Sequence, residues 1–93
     1  MSVLAENLAL IEAMEAQQDW AALEEFLPTA YAQRAGNALL EPFCDRAAGL
    51  ANAARGRSHA ARECLSRSLA GFEQMAIPFE AARARAAAER VGR

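Results

Sequence analysis

Apolar residues recur along this chain at the 3.6-residue period of a helix, in five runs separated by breaks. In the first run, Leu4, Leu8, Ile11 and Met14 make one stripe, which predicts a helix over Val3–Ala16 with Ser2 as its cap. The polar Gln17-Gln18-Asp19 follows, and Asp19 is placed to cap a second helix from Trp20 to about Ala35. Its stripe is Trp20, Leu23, Leu27, Ala30 and Arg34. Pro28 falls inside it. A proline there removes one backbone donor and crowds the preceding turn, at a cost of about 3 kcal/mol. A kink near Glu24–Pro28, or two short helices in line, is therefore expected.

Gly36-Asn37 ends the second helix and caps a third, over Ala38–Arg55, with Pro42 near its first turn and Leu39, Phe43, Ala47, Leu50 and Ala54 on one face. Gly56 stops it. Ser58 is expected to cap a fourth helix running to about Met75, with Ala61, Leu65, Leu69 and Phe72 on its stripe. Ile77 precedes a proline and is biased to extended backbone. Pro78 then opens a fifth helix to about Val91, whose apolar face reads as Phe79, Ala82, Ala86 and Val91. Connections of two or three residues make neighbouring helices antiparallel.

Composition reinforces the helical reading. Alanine dominates the 54% hydrophobic content, and β-branched residues are few. The 93 residues suit one domain with a modest core. All ten basic residues are arginine, and they are unevenly spread: residues 1–47 carry net charge −6 and residues 48–93 net +4, for −2 overall. No apolar run reaches the ~20 residues that span a bilayer. No basic segment precedes an apolar run at the start, so a secretory leader is not expected and a cytoplasmic location is. Two cysteines, Cys44 and Cys64, are too few for a disulfide scaffold.

Sliding the chain by 39 residues lays Asp19 on Ser58, cap on cap, and pairs Ala22 with Ala61, Glu24 with Glu63, Glu41 with Glu80 and Arg46 with Arg85. The period suits a helix–turn–helix repeat. Gly49, Ala61, Leu65 and Ser68 stand at spacings that resemble a tetratricopeptide repeat. The segment FEQMAIPFEAARARAAAE is similar to repeat regions of bacterial LuxR-type and cyclase-linked regulators. Asn52 stands where that family usually has tyrosine, and Ala76 where it commonly has glycine. The resemblance implies an all-α fold: antiparallel hairpins over about 3–35 and 38–75 and an extra helix over about 78–91, stacked as a short solenoid of about five helices. It also implies a scaffold or adaptor that binds a peptide or helix of a protein partner.

Candidate chemistry is sparse. The chain has no phosphate-binding glycine loop, no CxxC and no HExxH, and its acids are scattered. His59, the only histidine, reads as a surface residue of a first turn. Cys44 and Cys64 would be offset by roughly 6 Å across an antiparallel pair at 1.5 Å per residue, which argues for packed thiols. No enzyme activity, metal or cofactor is expected.

Under the resemblance, Asn7, Arg46 and Arg85 occupy equivalent positions on the first helix of each hairpin and would face a concave surface. There they would grip a carboxylate or an acidic segment of a partner. The competing reading is local pairing, of Arg46 with Asp45 or Glu41 and of Arg85 with Glu89. The charge split and the open face of the fifth helix, with Phe79 and Val91, suggest a second function: self-association between copies without a peptide groove. Arg83, Arg85 and Arg90 raise nucleic acid as a remote third partner, opposed by the acidic first half.

Overall fold

The structure, a computed structural model, describes residues 3–92. Those residues are all-helical, with α1 over Val3–Ala16, α2 over Trp20–Ala32, α3 over Leu40–Ala54, α4 over Ser58–Gln74 and α5 over Pro78–Val91. The second helix is shorter than expected. It runs uninterrupted through Pro28, whose ring is exposed and has room in solvent, then ends at Ala32 and gives way to a 3₁₀ turn over Arg34–Gly36. Asp19 caps α2 by accepting from the Ala22 amide at 3.2 Å. Ser58 does not cap α4: it is the first helical residue, Arg57 is the cap position, and no side chain bonds there.

Three of the four connections share one hydrogen-bond pattern. Asp19, Arg57 and Ile77 donate their amides to the carbonyls of Met14, Asn52 and Phe72, each five residues back. Gln18, Gly56 and Ala76 just before them have positive φ and donate to Glu15, Ala53 and Glu73. This is the Schellman end of a helix, which wants glycine in the left-handed residue. Only Gly56 supplies it.

These turns also set the register between the two halves. Gln18 lies 38 residues before Gly56, and Trp20 lies 38 before Ser58. A shift of 38, rather than the 39 read from the caps, lays buried Leu23 on Ala61, Leu27 on Leu65 and Ala30 on Ser68. It also places Ile11 with Gly49 and Ala87. The shift of 39 would lay buried Leu23 on exposed Arg62.

Helix α3 is the centre, in contact with α1, α2, α4 and α5. Ile11, Leu23, Leu27, Ala30, Cys44 and Ala47 lie in one core. Phe43, Phe72, Ala81 and Ala84 make a second, and half-buried Leu8 touches both. Gly49 lets α3 and α4 meet closely: a Cβ there would stand 2.6 Å from Leu65 Cγ. Ser68 donates its hydroxyl to the Pro42 carbonyl at 2.8 Å in the same interface.

The inner face of α5 differs from the expected one. Ala81, Ala84 and Ala87 are buried, whereas Ala82 and Ala86 are exposed and Phe79 is 72% exposed; Val91 is half-buried on the inner side. Alanine lies on both faces of this helix, so hydrophobicity offers little contrast between them.

The left-handed alanine yields a direct prediction. A non-glycine residue in that conformation costs about 1–2 kcal/mol, and part of this is returned as extra chain entropy when glycine replaces it. Ala76→Gly should therefore raise the unfolding free energy by about 1 kcal/mol in a denaturant titration. A neutral or destabilising result would contradict the turn geometry.

Candidate functional site

Two places collect polar or exposed side chains in ways that core packing does not require. The first is the junction of α1, α3 and α5. Arg46, expected on an open face, is only 2% exposed. Its guanidinium carbon lies 5.3 Å from the Phe43 ring centroid and 5.2 Å from that of Phe72, and the two rings meet edge to face at 4.9 Å. Its Nη1 donates to Glu80 at 2.8 Å, and Nη2 lies 3.5 Å from Glu12. Neither Asp45 nor Glu41, the neighbours expected to pair with it, does so among the described residues. Arg83 extends the cluster, 3.0 Å from Glu80 and 3.3 Å from Glu12.

Glu15 completes the cluster. One of its carboxylate oxygens is buried without a hydrogen-bond partner. Burial pushes its pKa from 4.5 up to about 7, the Arg46 cation pulls it down, and the Glu12 charge pushes it up again. The junction thus holds two arginines and three carboxylates, one of which is partly protonated at neutral pH.

The residues read as one ligand-facing ladder are not brought together. Asn7 is buried and donates its amide to the Gln33 side chain. Arg46 is enclosed as described, and a side chain with so little exposure has no surface to offer a ligand. Arg85 alone of the three is exposed; it pairs with Glu73 at 3.5 Å instead of Glu89. In the 38-residue register, Asn7 corresponds to Asp45 and Arg83. Asp45 is buried, 2.7 Å from the Tyr31 hydroxyl that donates to it. Burial raises its pKa, against the opposing effects of that hydroxyl and of Arg67.

The second place is the α4–α5 turn. Phe72, Ile77, Pro78 and Ala81 line a hollow of about 480 Å³, and Glu73 and Arg85 stand at its rim. Its lining is mainly apolar, with one charged side chain of each sign. Sequence reasoning named Arg85 but not its companions, because the hollow forms only where the left-handed Ala76 turns the chain.

Other candidates have structural roles. His59 is exposed, 3.1 Å from Glu63. Cys44 and Cys64 are free and buried, and burial pushes the Cys44 thiol up to about 12, far from a reactive thiolate. Among the described residues no group of three His, Cys, Asp or Glu is placed to hold a metal ion, and no helix is long and apolar enough to cross a membrane. No protein family, curated protein or solved structure matches the chain.

The junction can be tested at two of its residues. Arg46→Ala opens a cavity between the phenylalanine rings and removes a cation from Glu80, and should cost about 3–5 kcal/mol, the range for breaking a buried pair. Urea titration should show it, with Arg46→Lys losing less. For Glu15, the folded pKa lies above the unfolded one. Its contribution is therefore fully present below pH 4.5 and is lost as pH rises through about 7. A tenfold difference in proton affinity is worth about 1.4 kcal/mol, and water screens the part of the side chain it still reaches, so the loss is of order 2–3 kcal/mol. Glu15→Gln should match the wild type near pH 4.5 and exceed it at pH 8. Parallel stability curves across that range would contradict the assignment.

Proposed function

We propose that this chain is a protein–protein interaction module rather than an enzyme, and that it binds a peptide or helix of a partner at the α4–α5 hollow. The observation that carries this reading is the hollow itself: an apolar cleft with an exposed arginine at its lip. Exposed Met75, 37% accessible, adds apolar surface at the end of α4. The Arg85–Glu73 pair is exposed on both sides, and such pairs contribute about 0–1 kcal/mol. A ligand carboxylate can therefore take over Arg85 at little cost. The segment expected in the cleft has a bulky apolar anchor followed by an acidic residue.

The architecture we propose is a tetratricopeptide-like stack, with hairpins over 3–35 and 38–75 and an extra helix over 78–91. Hydrogen bonds between opposite ends of neighbouring helices support it. Asn7, early in α1, bonds Gln33 just past α2, and Tyr31, late in α2, bonds Asp45, early in α3. Ser68, late in α4, bonds Pro42, early in α3. The contact of α3 with α1, α2, α4 and α5 fits two stacked hairpins and a following helix.

Selection from a displayed library of random peptides tests the reading. Enriched peptides should share the apolar–acidic pattern, and Arg85→Ala should weaken them about tenfold or more, the loss of one hot-spot contact. Ile77→Asp, which fills the hollow with a charge, should abolish the selection. Enrichment that persists with Ile77→Asp, or affinity unchanged by Arg85→Ala, would reject this site.

A further inference from the structure

The outward faces of the first and last helices share one pattern. On α1, Val3, Glu6, Leu10 and Ala13 are exposed at offsets of three, seven and ten residues from the first; on α5, Phe79, Ala82, Ala86 and Glu89 repeat those offsets. Such spacing keeps residues on one helix face. Among the described residues four large apolar side chains are exposed, and three of them lie on these two stripes: Val3 at 59%, Leu10 at 49% and Phe79 at 72%.

Each stripe carries one glutamate, Glu6 or Glu89, and only the α5 stripe has arginine beside it. Part of the split between the halves is neutralised inside the molecule, through Glu12 with Arg83, Glu24 with Arg55 and Arg57, and Asp45 with Arg67. Glu6 on α1 and Arg90 on α5 are exposed and have no ion-pair partner among the described residues. Arg90 lies beside the Phe79–Ala86 line, and Glu89 lies toward its other edge.

We propose that the two stripes are the halves of one interface, with α1 of one copy seated antiparallel on α5 of the next. In that direction large side chains meet small ones at successive levels. Phe79 faces Ala13 and Leu10 faces Ala82; beyond them Ala86 faces the stem of Glu6, one turn from Arg90, and Val3 faces the stem of Glu89. The opposite direction sends Arg90 away from Glu6. The surfaces that meet are different ones, on α1 and on α5, so the contact is heterologous, and copies add in a row where the rotation between them does not close. This surface is separate from the α4–α5 hollow and does not rest on the peptide reading.

Light scattering on the full chain, from micromolar to millimolar concentration, tests the proposal. In low salt the mass should rise above 10.0 kDa with concentration and pass that of two copies, and high salt should reduce it. Leu10→Lys and Phe79→Asp each spoil one half of the interface at an exposed position, where circular dichroism can confirm that the fold is kept. Each variant alone should be monomeric. Mixed together they should form a one-to-one pair and stop there, since one intact α1 and one intact α5 remain. A wild type that stays monomeric, association that survives either substitution, or a mixture that fails to pair would overturn the proposal.

Discussion

The fold depends on one buried cation. Arg46 stands on the central helix, and its side chain reaches all but one of the others: Glu12 on α1, Phe72 on α4 and Glu80 on α5. Removing a charge from water costs several kcal/mol, and three arrangements offset that cost. The guanidinium carbon lies near both aromatic rings, at distances where cation–π attraction reaches about 2 kcal/mol once desolvated. Glu80, itself mostly buried, supplies a short charge-assisted bond. Glu12 adds a weaker contact from a half-exposed side chain. Only Nε is left without a bond.

This placement changes the meaning of the charge asymmetry. Read along the chain, an acidic half followed by a basic half suggests surfaces of opposite sign. In the folded chain, carboxylates of the first two helices meet arginines of the later segments at the junction and where Glu24 takes both Arg55 and Arg57. Part of the asymmetry therefore acts within the molecule, tying α1 and α2 to segments 31 to 71 residues further along. The same enclosure buries Glu15, and that burial raises its carboxyl pKa to about 7 although the Arg46 cation pulls the other way.

Much of the helix plan is legible in the sequence because each boundary has a local cause. The bounds of α1 and α5 follow from the first apolar run and from Pro78, and the stops at Gln18 and Gly56 from polar or glycine breaks. Matching caps, Asp19 with Ser58, gives a spacing of 39 residues, whereas the left-handed turn residues Gln18 and Gly56 lie 38 apart. Glutamine and glycine at those positions share no obvious sequence signal. Arg46 reads as a surface residue because arginine usually belongs there. A contrary signal is present: it stands one turn from both Phe43 and Leu50, at the edge of the apolar arc of α3. The resemblance implies a ligand contact at this residue, whereas the structure encloses it and pairs it with Glu80 and Glu12.

The orientation of α5 follows from the same cation. Its inward face offers Ala81, Ala84 and Ala87, and its outward face offers Ala82, Ala86 and the larger Phe79. Area alone would favour turning Phe79 inward, since burying a phenylalanine is worth about 1.5–3 kcal/mol and a methyl about 0.8. The helix has instead turned so that Glu80 reaches Arg46 and Arg83 reaches Glu12. At about 100° per residue, placing Phe79 against Phe72 would rotate both charged groups off the junction and leave Arg46 buried with only its weaker partner. That loss exceeds the gain from one aromatic ring. The alanines make the choice tolerable, because they let α5 approach Phe72 closely with whichever face the charges select. The exposure of Phe79 is thus a consequence of satisfying Arg46, and the outer surface of this small domain is set by an ion pair inside it.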